Sequence, residues 1–284
     1  MFSSNDYNGA ARVFSQLSCS HPAWAEARIQ LGRTLVEQKR FEDAIECCME
    51  LVRKDIDSYR GYFCCGNICL MYTKDYERAI EYFDLAIQQK TDQSGSYLSR
   101  GAAYEKKQDH EKAFADFDKA IELEPKKDYM WYRRGKLYLS IGNYDRAIEN
   151  FDQAIAIIRH TNPSYHLWRG FARHRKEQYD LAFEDYCKTI NITPYYDEAF
   201  AWRGLIYGEK GLSQLAAADF NFALKKNPTN GYYYFYRGIN YLYELGKYDL
   251  AFSDLIKAIE LAPDHTEFQQ YLDVLYEHME YGTD

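Results

Sequence analysis

Apolar runs in this sequence stop well short of the roughly 18–20 residues that cross a bilayer, and the opening residues MFSSNDYNGA lack the basic start and apolar core of a secretory signal. A soluble, cytoplasmic protein is the expectation. Positive charge is also in short supply. Thirty-five Lys and Arg face 43 Asp and Glu, for a net charge of −8. That balance argues against a general binder of nucleic acid or anionic membrane, which needs surplus cations to displace counterions. The chain carries no H-E-x-x-H, no Gly-rich phosphate loop and no serine elbow, and its seven histidines are dispersed. Its seven cysteines are odd in number and lack paired C-x2-C spacing, so reduced, buried thiols are expected rather than a disulfide framework or a metal site. No enzyme, cofactor or metal is expected. Proline is scarce as well: there are six, all at or near the ends of a repeating unit.

What the sequence does have is a period. Glycines at 32, 66, 101, 135, 170, 204 and 238 are separated by 34 or 35 residues. Twelve or thirteen residues after each comes an alanine: Ala44, Ala79, Ala113, Ala147, Ala182, Ala216 and Ala251. Four residues further lies a bulky side chain in most copies: Phe83, Phe117, Phe151, Tyr186, Phe220 and Leu255, with Cys48 in the first. At 284 residues the chain exceeds one ordinary compact domain, and this periodicity resolves it into an elongated array. Each unit reads as two amphipathic helices joined by a short turn, for example MWYRRGKLYLSI, then Gly142-Asn143, then AIENFDQAIAII. A glycine inside a helix costs about 1 kcal/mol relative to alanine. Its repetition implies close approach of the paired helix, with the small Ala of that helix expected at the contact.

The order Tyr97, Gly101, Tyr104, Ala113, Phe117, Ala120 and Pro125 within one unit resembles the tetratricopeptide repeat (TPR) family. The resemblance implies an all-α, right-handed α-solenoid of tandem helix-turn-helix units with a C-terminal capping helix, first helices lining a concave groove. Seven units are expected over 25–265 (25–58, 59–93, 94–127, 128–162, 163–196, 197–230 and 231–265). Residues 1–24 read as a half repeat, a second helix only, or an N-terminal cap. Residues 266–284 read as a capping helix and tail, with Asp273 where a further unit would place glycine. The first two full units depart most from the pattern, with Ile56 and Thr91 in place of the terminal proline.

Five units place arginine just before the glycine: Arg100, Arg134, Arg169, Arg203 and Arg237. The second helices offer Asp116, Asn150, Asp185, Asp219 and Asp254 at one fixed slot. In the two units without the arginine, Leu31 and Cys65, that slot holds Cys47 and Tyr82. The two slots change together, so each Arg is expected to pair with the Asp or Asn of its own unit as part of the architecture.

The resemblance places ligand contacts on the first helices, near each glycine. There the centre carries Tyr132, Arg133, Lys136 and Arg175, a basic zone in an acidic protein. The C-terminal half carries Trp168, Phe171, Trp202, Phe235 and Tyr236, residue types frequent at binding hot spots. The chaperone-type carboxylate clamp of some family members is not expected, because its slots hold Phe63, Asn67, Ser99, Tyr129 and Arg133 and lack both lysines. The resulting expectation is a non-catalytic scaffold or adaptor that binds a protein or peptide with apolar anchors and acidic groups. The alternative is an assembly subunit that self-associates through the unpaired N-terminal helix; a regulatory arm of an enzyme is a more remote reading.

Overall fold

In a computed structural model that describes residues 24–158, 162–244 and 246–281, every regular element is helical. The fifteen helices are α1 (Trp24–Glu37), α2 (Phe41–Arg53), α3 (Ser58–Ile68), α4 (Tyr76–Gln89), α5 (Ser94–Lys106), α6 (His110–Leu123), α7 (Asp128–Ser140), α8 (Tyr144–Ile157), α9 (Pro163–Arg175), α10 (Tyr179–Ile192), α11 (Asp197–Glu209), α12 (Ser213–Lys226), α13 (Gly231–Ile239), α14 (Tyr248–Leu261) and α15 (Thr266–Tyr281). They run as tandem pairs, the architecture of an α-solenoid. The proposed N-terminal half repeat, and with it the self-association reading, lies outside the described residues except for Trp24.

The chain divides into two compact units, one ending at Leu137 and the other beginning at Tyr138. Local sequence explains the helix boundaries. Asp75, Asp109 and Asn143 cap second helices, each accepting a hydrogen bond from the backbone N–H three residues on, at 3.1, 3.3 and 3.2 Å. Asp57 does the same for a first helix, and Asn162 and Asn230 cap first helices by accepting from the backbone N–H two residues on. Pro163 occupies the first turn of α9, where its missing N–H has no cost.

Two first helices do not end in the ordinary way. α3 and α13 pass into five-residue π-turns, Cys69–Thr73 and Asn240–Glu244. These are the two repeats in which thirteen rather than twelve residues separate the glycine from the alanine. The extra residue is taken up as a wider turn, so that the alanine keeps its place in the core; Ala79 and Ala251 are both fully buried.

The recurring glycines meet different atoms from those expected. A Cβ on Gly66, Gly101 or Gly170 would lie 2.6–2.8 Å from the ring of Phe83, Phe117 or Tyr186. The aromatic ring four residues beyond the alanine, and not the alanine side chain, is what the missing Cβ admits. The alanines themselves are completely enclosed. At the C-terminal end, α15 buries Phe268, Leu272 and Leu275 against α13 and α14, while Asp273 is exposed.

Candidate protein-interaction site

Arg100, Arg169, Arg203 and Arg237 each come off a first helix and reach a carboxylate on the second helix of the same repeat. Arg100 Nε and Nη2 donate to Asp116 at 2.9 and 2.6 Å. Arg169 holds Asp185 at 2.9 and 2.5 Å, Arg203 holds Asp219 at 2.8 and 2.8 Å, and Arg237 holds Asp254 at 2.7 and 2.7 Å. Arg134 and Asn150 fall in different compact units. Arg134 ion-pairs with Asp118, and buried Asn150 donates through Nδ2 to the carbonyl of Arg146 at 2.7 Å.

The remaining Nη1 of each guanidinium reaches one repeat back. Arg100 donates to Asp84 at 2.5 Å, Arg134 to Asp118, Arg169 to Asp152 at 2.6 Å and Arg237 to Asn221, while Arg203 meets the Cys187 sulfur at 3.8 Å. The arginines therefore tie successive repeats together as well as the two helices of one. Sequence reasoning missed this second set of partners, although Asp84, Asp118 and Asp152 recur with the repeat directly after the bulky residue. With both ends of these guanidiniums engaged, the row is architecture and leaves little for a ligand.

The residues assigned to a groove have unlike surroundings. In the first unit, half-buried Arg133 pairs with Glu105 at 2.8 Å and lies over the Phe117 and Tyr129 rings. Tyr132 and Lys136 are half-buried on the same helix, α7, with Tyr132 packed against Tyr129. In the second unit Arg175 is exposed, and its Nε donates to the Tyr144 hydroxyl at 3.2 Å.

Phe235 is not a surface residue. It is 2% exposed and stacks on Phe268 of α15 at 4.4 Å between centroids. The terminal helix covers it, a consequence of tertiary packing that the position of Phe235 within its own repeat does not reveal.

The other aromatics of the second unit form a continuous row over three first helices. Trp168 and Phe171 on α9 meet edge to face at 5.8 Å, and Phe171 meets Trp202 of α11 in the same way at 4.9 Å. Trp202 then approaches Tyr236 of α13 at 6.4 Å. All four residues are half-buried, in contact along the row and partly exposed. His174 packs beneath Trp202 and lies 3.5 Å from the Glu209 carboxylate. Burial lowers the pKa of this imidazole more than Glu209 raises it, so it is neutral at pH 7.

A second feature lies in the first unit, where a cavity of about 690 Å³ is lined by Arg33, Arg60, Phe63, Asn67, Met71 and Tyr72 among others. Met71 and Tyr72 belong to the π-turn after α3 and are strongly exposed. The sequence signal for this cavity is the thirteen-residue interval between Gly66 and Ala79. Cys48 and Cys64 also line it. Burial pushes the neighbouring Cys47 thiol up to about 11, which keeps it protonated at neutral pH. Among the described residues no group of three His, Cys, Asp or Glu side chains is placed to hold a metal ion, and no helix is long and apolar enough to cross a membrane.

A tandem array of helix pairs that spends its arginines on internal ties defines a class of helical repeat protein. Family comparison agrees: tetratricopeptide repeat profiles match residues 1–59, 95–127, 129–160 and 203–266, well over half of the sequence. The chain belongs to the tetratricopeptide repeat family, whose members generally mediate protein–protein interactions. No curated protein sequence matches it. Among solved structures it is similar to YrrB, described as a TPR protein with an unusual peptide-binding site, at 23% identity and TM-score 0.54 over 68% of this chain and 98% of that one. It is also similar to a TPR protein from Parabacteroides merdae, at 20% identity and TM-score 0.67 over 89% of this chain and 98% of that one. The APC/C hetero-tetramer Cut9–Hcn1 gives 13% identity and TM-score 0.70 over 95% of this chain and 52% of that one.

Proposed function

We propose that this protein is a non-catalytic adaptor that holds a segment of a partner protein against the aromatic row of its second unit, in the cytoplasm. The observation that carries the reading is the run Trp168–Phe171–Trp202–Tyr236, joined by two edge-to-face contacts and one tilted contact, with every ring partly exposed. Large, pre-ordered aromatic side chains lose little rotamer freedom on binding, which is why Trp and Tyr dominate binding hot spots. Exposed Arg175 supplies a cation for an acidic group of the partner. The peptide-binding site named for YrrB is in keeping with this reading.

Replacing Trp168 and Trp202 together by alanine is expected to abolish partner capture from a lysate while the helical circular-dichroism signal is retained. Undiminished capture by the folded double variant overturns the assignment.

A further inference from the structure

Two members of the aromatic row, Trp202 and Tyr236, also carry polar hydrogens. The Trp202 indole N–H and the Tyr236 hydroxyl make no hydrogen bond among the described residues, and both belong to half-buried side chains. An indole N–H is a donor only, and a phenol hydroxyl donates readily. Neither is among the buried unpartnered groups, so both reach the surface, where two donors set among aromatic faces suit a ligand that presents apolar surface and bare acceptors together. The charges at the row narrow the choice. The nearby carboxylate of Glu209 faces His174, and Arg173 is held by Asp185 at 2.7 Å. Arg175 is exposed and has no carboxylate partner among the described residues.

An α-helical ligand satisfies its own carbonyls and offers none to such donors. A polyproline II segment does the opposite. It makes no internal hydrogen bonds, leaves its carbonyls outward, and carries flat pyrrolidine faces that lie on aromatic rings. It also has little conformational entropy left to lose. At about 3.1 Å per residue, no more than some six residues of this helix are needed to cover a row whose successive centroids lie 5.8, 4.9 and 6.4 Å apart.

We infer that the segment held by this surface is a proline-rich stretch in the polyproline II conformation, flanked by an acidic residue that meets Arg175. This rests on the reading of the aromatic row as the binding surface. The geometry assigns Trp202 and Tyr236 a double task, stacking on the ligand's rings and donating to its carbonyls.

The test uses the full chain and three labelled synthetic peptides, read by fluorescence anisotropy. One is an aspartate followed by about nine prolines, long enough to span the row. The second replaces the prolines by glycine and serine, and the third is an acidic amphipathic helix of equal length. Binding of the proline peptide at least tenfold tighter than either control is expected. Trp202→Ala is expected to weaken it at least tenfold. Trp202→Phe and Tyr236→Phe keep the rings, remove the donors and weaken it severalfold, which covers the case in which the alanine variant does not fold. Arg175→Ala is expected to act only on peptides that carry the aspartate. Equal or tighter binding of the helical peptide, or proline binding indifferent to Trp202→Phe and Tyr236→Phe alike, overturns the inference. If the proline peptide fails while lysate capture still depends on Trp168 and Trp202, the ligand class is wrong and the surface stands. If both fail, the surface assignment falls as well.

Discussion

The first two helix pairs and the later ones fill the same position with opposite chemistry. In the first two, Leu31 and Cys65 stand before the glycine and meet a second helix that offers Cys47 or Tyr82. In four of the later pairs, at Arg100, Arg169, Arg203 and Arg237, an arginine stands there and meets a buried carboxylate on one side and a side chain of the preceding repeat on the other. An apolar contact there is tolerant, because removing part of it costs only the area lost. An ionic contact is demanding, because removing one partner leaves a desolvated charge behind. The two regions should therefore respond very differently to single substitutions.

The largest effect is expected at Asp185, which is fully buried and receives Arg169, Arg173 and His166. Asp185→Ala is expected to cost about 3–5 kcal/mol in urea unfolding, by stranding buried cations. The double variant Arg203→Leu/Asp219→Cys, which copies the Leu31–Cys47 arrangement into a later pair, is expected to cost far less than Asp219→Ala alone. A double variant as damaged as the single one would break the comparison. The pH dependence sharpens it. Burial by itself raises the Asp185 pKa, but hydrogen bonds from His166 and Arg169, with the charges of Arg169 and Arg173, outweigh it and hold the group below its ordinary value. A depressed carboxylate contributes stability that is complete above its unfolded value, near pH 4, and is lost as pH falls through the folded one. Asp185→Asn is expected to flatten that acid limb.

A smaller effect separates the glycines. A Cβ at Gly66 would sit 2.6 Å from the Phe83 ring, whereas at Gly238 the nearest atoms are 3.3 Å away. Gly66→Ala is expected to destabilise by about 1–3 kcal/mol through overpacking. Gly238→Ala is expected to change little, because the gain in helix propensity of about 1 kcal/mol offsets the tighter contact. Equal costs at the two sites would remove packing from the explanation. Smaller still is Tyr186→Phe. Tyr186 is completely buried and its hydroxyl has no partner among the described residues, while other repeats carry phenylalanine in its place. Removing this orphaned group is expected to stabilise the chain by about 1 kcal/mol, read as a raised urea midpoint.

The parts of the fold that follow from the repeat were legible in the sequence. The glycine period gives the helix pairs, whereas the two π-turns, which fall where the glycine-to-alanine interval is thirteen residues, were not anticipated from it. The proposed site was only partly legible. Trp168, Phe171, Trp202 and Tyr236 lie together because the period puts them on successive first helices. Phe235 occupies the same face of its repeat, but α15 covers it, and that contact depends on how the terminal helix docks. The cavity at Arg33 and Asn67 depends on a turn geometry that sequence spacing indicates but does not describe.

The central claim is that partners are held on the first helices of the second unit. Amide hydrogen exchange of the full chain, with and without a captured partner, tests it directly. Slowed exchange confined to α9, α11 and α13 is the predicted result. Protection confined to the second helices, or to the cavity beside Arg33 and Asn67 in the first unit, would contradict it.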